Sequence, residues 1–426
     1  MLQKSNNDRY RLINLYISKK GWRVSMTIQE AKETVVIAGR RLVESGLIAR
    51  TWGNVSCRIS DSHFVITPSG RDYLSLAAEE IVEVAISDCS YQGDVKPSSE
   101  KGIHAEVYQL HPKVNFVIHT HQEYASSVSV LGLDIVKVSE SYPLLHGEVI
   151  CAAYGLPGTK GLRKGVASAL SKAKGNAVIM KNHGALCYGS DEEEAFQTAN
   201  ELEQACRQFI LDQYHKKDDN TIIEPLRIGR HELSHLFEKD IISENVTLSI
   251  PFESERIADG FLLKSGDATY EFITGKLNNL PKADPSLLKE ALLHHQIYRT
   301  QENVHYILHA DTLGIATVSS AAIKVLPLLD DFAQIAGTSV NTADMDANEV
   351  SAKLKGSSAV FLKCNGALCC GANKGDALAV SMVTEKNCNA LISAALFGKV
   401  TYIKHWECIL MRYVYLKKYS KQAYKI

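Results

Sequence analysis

His119 and His121 stand two residues apart in the run FVIHTHQEYASSVS, whose apolar positions before the pair suggest a strand. Side chains alternate across a strand, so both imidazoles are expected on one face, roughly 7 Å apart at Cα. A pair of neutral imidazoles placed this way is a common chelating arrangement for zinc and similar ions. His183 lies in Asn182-His183-Gly184, between two apolar runs. Gly184 permits a tight bend that brings the ring to a strand end, where sites collect. Glu100 follows Pro97-Ser98-Ser99 and opens a helical pattern. The helix dipole favours a carboxylate there, and a carboxylate can ligate a metal or move a proton. Each residue has a plainer reading: a polar strand face, a turn histidine, a glutamate in a first helical turn. Together they point to a divalent-metal site.

Three short loops have the make-up of anion cradles: Gly53-Asn54-Val55-Ser56, Thr67-Pro68-Ser69-Gly70, and Ser98-Ser99 before the helix. Glycine lets backbone approach an anion, hydroxyls and amides donate, and a helix N-terminus adds partial positive charge. Such residues also mark plain turns. Their order ahead of the histidines nominates Asn54, Ser69, Gly70, Ser98 and Ser99 as substrate or phosphate contacts.

The elements that must position these residues alternate between two periods. Residues 27–45 read as a helix, 63–67 as a strand ending in the Pro68-Ser69-Gly70 turn, and 99–111 as a helix with Ile103, Val107 and Leu110 on one face. Residues 114–121 and 177–180 read as strands, with Val114, Phe116 and Ile118 opposite the histidines. A helix over 191–214 is expected to start at a Ser190/Glu193 capping box. The acidic run that follows is a dipole-stabilised first turn rather than a second metal site. Strands interleaved with helices imply a layered α/β domain.

The chain then repeats itself. FVIHTHQEYASSVS at 116–129 is answered by YILHADTLGIATVS at 306–319, and KNHGALCYG at 181–189 by KCNGALCCG at 363–371. The offset is 190 residues at His119/His309 and 182 at His183/Asn365, so the second copy is eight residues shorter between these anchors. Repeats of this kind fix the architecture before any other consideration. The reading is an extension over 1–25, a catalytic domain over 26–220, with the boundary in the polar stretch 216–220, and a degenerate, non-catalytic domain over 221–426.

Composition agrees with two globular units. The 426 residues are 45% hydrophobic and 22% charged, with a formal net charge of −1. A chain this long exceeds one ordinary core. The balanced charge argues against nucleic acid as a partner. No apolar run is long enough to suggest a membrane span, and residues 1–25 lack the apolar segment of a signal peptide. Ten cysteines without a C-x-x-C spacing read as reduced thiols of a cytoplasmic protein.

As a set, GNVS, TPSG, PSSE, IHTH and NHG, in this order over residues 27–214, resemble the class II aldolase/adducin family. That family includes L-fuculose-1-phosphate aldolase and L-ribulose-5-phosphate 4-epimerase. The resemblance implies a three-layer α/β/α sandwich with a largely antiparallel central sheet, here in two tandem copies. It implies Zn2+, or another divalent ion such as Mn2+, on His119, His121 and His183, with Glu100 as catalytic acid/base. It also implies a small phosphorylated sugar bound around Asn54, Ser69, Gly70, Ser98 and Ser99, and a homo-oligomer. A dimer of two-copy chains forming a pseudo-tetramer is favoured. The reaction it suggests is aldol cleavage of a phosphorylated ketose to dihydroxyacetone phosphate and an aldehyde through a metal-stabilised enediolate. Epimerase, dehydratase or decarboxylase chemistry on a sugar phosphate or sugar acid fits the same residues, and a non-catalytic adducin-like scaffold is the third reading. Family aldolases also use a tyrosine, which Tyr142 and Tyr154 do not decide between. The second copy keeps His309 but has Asp311 and Asn365 at the other two positions, a poor zinc set. Glu290 matches Glu100, Leu288-Lys289 replaces the serines, no GNVS occurs over 240–275, and Ile273-Thr274-Gly275 is all that resembles TPSG.

Overall fold

The computed structural model describes residues 26–45, 47–48, 53–238, 251–273 and 284–419. The extension over 1–25 lies outside the described residues, as do Thr274 and Gly275. The first helix, Ile28–Glu44, starts where its sequence dictates. Thr27 Oγ1 accepts from the Glu30 amide at 3.2 Å, and the Glu30 carboxylate accepts from the Thr27 amide at 2.8 Å.

Eight strands form the first sheet: β1 (Asn54–Arg58), β2 (His63–Ile66), β3 (Val82–Ala85), β4 (Phe116–Thr120), β5 (Ile135–Lys137), β6 (Glu148–Ala152), β7 (Ala177–Met180) and β8 (Gly184–Gly189). Their order across the sheet is β3-β2-β1-β4-β8-β7-β6-β5. Every pairing is antiparallel except that of β6 with β7. After a small hairpin, β9 (Ile222–Ile223) with β10 (Ile228–Gly229), seven strands form a second sheet: β11 (Phe252–Ile257), β12 (Gly260–Ser265), β13 (Ala268–Ile273), β14 (Tyr306–Ala310), β15 (Thr342–Ala343), β16 (Ala359–Leu362) and β17 (Ala367–Gly371). Its order, β13-β12-β11-β14-β17-β16-β15, repeats the first, with β15 and β16 as its parallel pair. The three-layer α/β/α sandwich with a largely antiparallel sheet is therefore present twice.

Alternation along the strands sorts side chains into layers. On the first sheet Phe116, Ile118, Ile179 and Cys187 enter one buried cluster, while Val117, Val178, Leu186 and Tyr188 enter another. Val114, expected beside Phe116, falls in the cluster with Val117 because it precedes the regular strand. Ile103 and Val107 of helix Lys101–Leu110 join that same layer, whereas Leu110 is exposed. The cluster holding Phe116 also contains Val318, Phe332, Phe361 and Ile392 of the second copy. The two copies thus share one continuous core, in which helix Glu123–Ser129 packs on helix Lys374–Leu396. Each fully buried Val, Leu, Ile or Phe contributes about 1.5–3 kcal/mol, so this shared layer holds the copies together firmly.

The helix Glu192–His215 is capped by Asp191, whose carboxylate accepts from the Glu194 amide at 2.9 Å. Ser190, the expected cap, instead donates its amide to Glu194 at 2.6 Å, so the capping pair sits one residue later than its sequence spacing suggests. All ten cysteines are unpaired. Among the described residues no helix is long and apolar enough to cross a membrane.

Candidate metal centre

His119 lies near the end of β4, His121 just past it, and His183 in the turn between β7 and β8. Asn182 takes a left-handed φ of 58°, and Gly184 passes so close to β4 that a Cβ there would lie 2.3 Å from the Thr120 carbonyl oxygen. Only glycine admits that approach, and it brings His183 over His119 with the rings 4.9 Å apart and stacked. Nε2 of His119 is 2.9 Å from Nε2 of His121 and 3.1 Å from Nε2 of His183. Tetrahedral ligands at 2.0–2.1 Å from zinc stand about 3.3 Å apart, close to these two separations, and all three ligand nitrogens lie within 4.8 Å of one another.

Glu100 completes the cluster. It occupies the N-cap position of helix Lys101–Leu110 yet makes no capping bond with its side chain. Its carboxylate turns inward instead, 3.2 Å from His119 Nε2 and 3.1 Å from His183 Nε2. Oε1 is buried without a hydrogen bond. The usual rise on burial is outweighed by His119 and His183, which hold the carboxyl well below the ordinary range. Burial, above all, brings His121 down to about 3. At His183 burial acts in the same direction, but the charges of Glu100 and Asp330 outweigh it and raise the ring to about 10. A positive charge belongs among these groups. A divalent cation satisfies the orphaned Oε1 and the three facing nitrogens at once, so the residues fit a metal.

A relay of hydrogen bonds runs into Glu100 from behind. Asn54 Nδ2 donates to Glu100 Oε2 at 3.2 Å, and Asn54 Oδ1 accepts from His104 Nε2. His104 Nδ1 is 2.6 Å from Ser56 Oγ, which is 2.7 Å from the Tyr108 hydroxyl. Burial holds His104 at about 3, so it is neutral. His104 and Tyr108 were not singled out from sequence, although Glu100, His104 and Tyr108 are spaced by four and share one helix face.

The outer nitrogens of His119 and His183 are also hydrogen-bonded, whereas that of His121 is buried without a hydrogen bond. His119 Nδ1 donates to the Ala185 carbonyl at 2.9 Å. The other two face the second copy: His183 Nδ1 donates to Asp330 Oδ2 at 2.7 Å, and His121 Nδ1 has Asp331 Oδ2 at 3.4 Å. Asp330 and Asp331 begin the helix Asp330–Ile335 and are 0% and 2% exposed. Asp330 Oδ1 accepts from the Tyr154 hydroxyl at 2.9 Å, and Asp331 is paired with Lys386. The same segment clamps the histidine turn: Asn182 Nδ2 donates to the Leu328 carbonyl at 2.8 Å, and the Asp330 amide donates to the Asn182 carbonyl at 3.0 Å.

The candidate anion loops are stitched together beside Glu100. Pro68 bridges Pro97, the Ser69 amide donates to the Lys96 carbonyl, and the Ser98 amide to the Thr67 carbonyl. Ser99 and Gly70 are exposed and Ser69 half-buried. Asn54 and Ser98 are buried and engaged inward, Ser98 Oγ accepting from the Glu100 amide at 3.2 Å.

The second copy keeps the frame of this site and not its donors. Strand β11 pairs Phe252 with His309 as β1 pairs Asn54 with His119, so Phe252 stands where Asn54 stood. Ser254, His294 and Tyr298 repeat the Ser56, His104, Tyr108 cluster at 2.7 and 2.8 Å. Without an asparagine to receive it, His294 Nε2 turns to Glu290 at 3.0 Å. Among the described residues, His119, His121 and His183 form the one three-ligand cluster suited to a metal.

Comparison with known proteins bears on this arrangement. The chain matches the family described as Class II Aldolase and Adducin N-terminal domain over residues 33–210 and again over 266–392. It is similar to 5-deoxy-D-ribulose 1-phosphate aldolase of Bacillus thuringiensis serovar kurstaki, 31% identical over 215 residues that span 50% of this chain and 97% of the relative. Among solved structures it is similar to an L-fuculose 1-phosphate aldolase at 26% identity and a TM-score of 0.42, covering 51% of this chain and 98% of that one. It is also similar to L-fuculose-1-phosphate aldolase from Thermus thermophilus at 25% identity and a TM-score of 0.37, covering 44% and 96%. With both halves matched and the first half carrying the full set of histidines, the chain belongs to the class II aldolase and adducin family.

Proposed function

We propose that this chain is a divalent-metal-dependent lyase that cleaves a small ketose 1-phosphate to dihydroxyacetone phosphate and an aldehyde. The observation that carries the reading is the clustering of three histidine Nε2 atoms beside the buried carboxylate of Glu100, which lies 3.2 Å from His119 and 3.1 Å from His183. His119, His121 and His183 would hold zinc or manganese, and the chemistry such an ion supplies is Lewis-acid stabilisation of enediolate charge. In the cleavage direction Glu100 Oε1 returns a proton to the enediolate carbon, and in condensation it takes that proton away. Its other oxygen, fixed by Asn54, keeps the carboxylate aimed. The exposed Gly70 and Ser99 and the half-buried Ser69 contact the phosphate, while Asn54 and Ser98 brace Glu100 from within. The relative named 5-deoxy-D-ribulose 1-phosphate aldolase supports a ketose 1-phosphate over other sugar phosphates.

The catalytic unit in this reading is 26–220, and 221–426 does no chemistry of its own. Two chains assemble into a pseudo-tetramer with two active centres, which a solution mass of two chains would support. The deciding experiment has two stages. Metal content is measured for the wild type and His121→Ala, then release of dihydroxyacetone phosphate is screened across ketose 1-phosphates. About one metal per chain, lost in the variant, with product release from at least one substrate, is the expected result. Metal without product would move the assignment to epimerase, dehydratase or decarboxylase chemistry. No metal under replete conditions would overturn it in favour of a scaffold.

A further inference from the structure

Each of the three histidines needs its Nδ1 hydrogen-bonded if Nε2 is to be free as a ligand. An imidazole with its proton on Nε2 offers no lone pair inward, so the partner of the outer nitrogen selects the tautomer and sets the ring plane. His119 takes that partner from its own sheet, the Ala185 carbonyl. His183 and His121 turn theirs toward the second copy: His183 Nδ1 donates to Asp330 at 2.7 Å, and Asp331 Oδ2 faces His121 Nδ1 at 3.4 Å, within ion-pair reach but without hydrogen-bond geometry. Both carboxylates are themselves locked. Asp330 is gripped by the Tyr154 hydroxyl, Asp331 by Lys386 and by the Phe332 amide at 2.8 Å.

Simple adhesion between the copies does not explain this pair. Taking a carboxylate fully out of water costs several kcal/mol, and well-packed apolar side chains hold an interface at least as well as buried ions. The shared core already supplies apolar contact around them. Asp330 meets the outer nitrogen of one ligand histidine, and Asp331, while paired with Lys386, faces the outer nitrogen of another. Resting on the metal reading above, we propose that the second copy works as a positioning domain. Asp330 and Asp331 orient His183 and His121 and fix their tautomers, so the metal centre of the first copy is complete only with the second copy in place.

The test uses the full chain carrying Asp330→Asn, Asp331→Asn, or both, with Asn389→Ala as control. Asn389 Nδ2 donates to Glu123 Oε1 across the same interface at 2.8 Å without touching a histidine. Zinc affinity is read by competition with a chromogenic chelator, ligand geometry by the visible absorption of the cobalt(II)-loaded protein, and folding by the melting temperature of the apo-protein. The expected result is zinc binding weakened about 10- to 100-fold by each aspartate change, with altered cobalt bands. Asn389→Ala is expected to lower the melting temperature while leaving affinity and bands unchanged. Aspartate variants that bind zinc as the wild type does, with its cobalt spectrum, overturn the proposal. So does an Asn389→Ala chain that loses zinc as they do, since loosening of the interface would then suffice. A wild type that takes up neither ion would instead overturn the metal-dependent reading on which the proposal rests.

Discussion

Nδ1 of His309 lies 2.8 Å from Oε1 of Glu290, whereas in the first copy it is the opposite nitrogen, Nε2 of His119, that faces Glu100. The ring at the one retained histidine of the second copy has turned over. Its Nε2 now donates to the Asn365 carbonyl at 2.7 Å. The charge of Glu290 is likewise committed: burial pushes its carboxyl up, but His294 and His309 outweigh that and hold it at about 2. Loss of the ligands at Asp311 and Asn365 therefore came with closure of the remaining donors on one another.

That closure predicts the outcome of restoring the missing side chains. Asp311→His combined with Asn365→His is expected to leave the metal ratio near one per chain, because His309 and Glu290 would still satisfy each other. Elemental analysis of the purified variant checks this. A ratio of two would show that side-chain identity alone separates the copies.

Glu100→Gln keeps the hydrogen bond from Asn54 but removes the group proposed as the base. Turnover is expected to fall about 10²- to 10⁴-fold, the usual contribution of a positioned acid/base, with zinc content unchanged. Steady-state kinetics beside metal analysis separates this from a ligand role, in which zinc would be lost as well.

Asn54→Ala removes the partner of both Glu100 Oε2 and His104 Nε2 in a buried setting. Leaving a buried polar group unpaired costs about 1–3 kcal/mol. The denaturation midpoint should fall accordingly, without the loss of metal expected from a histidine change. Asn54→Asp, which places two carboxylates together, should be more destabilising still.

A pH dependence arises where the copies meet. Burial, followed by the charges of Glu385 and Glu203, raises Glu123 to about 7, against relief from Asn389 and Lys386. The unfolded chain has Glu123 near 4.5. Folding therefore favours the protonated acid: this contribution to stability is fully present below pH 4.5 and is lost as pH rises through about 7. Glu203 is raised in the same direction. Melting temperatures across pH 5 to 8 should decline in the wild type and decline less in Glu123→Gln. Equal slopes would show that Glu123 is not held in its neutral form.

Much of this architecture is legible in the chain because it rests on local rules. The Thr27/Glu30 cap, the alternation along β4 and the glycine beside His183 are each decided by neighbours within a few residues. The paired motifs around His119/His309 and His183/Asn365 exposed the repeat, and the changed residues of the second copy marked its poor donor set. What escaped was decided across the fold. Asp330 is 147 residues from His183 in an apolar run that carries no spacing signal. Phe252 becomes the counterpart of Asn54 only through the register of β11 on β14. His104 and Tyr108 were readable in principle: Glu-x3-His-x3-Tyr occurs at 100–108 and again at 290–298. The capping box of the long helix slipped by one residue because Asp191 competes with Ser190 for the same role.

The contact between His183 and Asp330 also has a consequence in time. Translation proceeds from the N-terminus, so all three imidazoles leave the ribosome while the aspartates that steady two of them are still unmade. A half-finished chain carries the ligands without their outer supports. With the proposed metal bound, tight capture of the ion is thereby deferred until the last third of the polypeptide has emerged and docked, and the order of synthesis becomes an order of assembly.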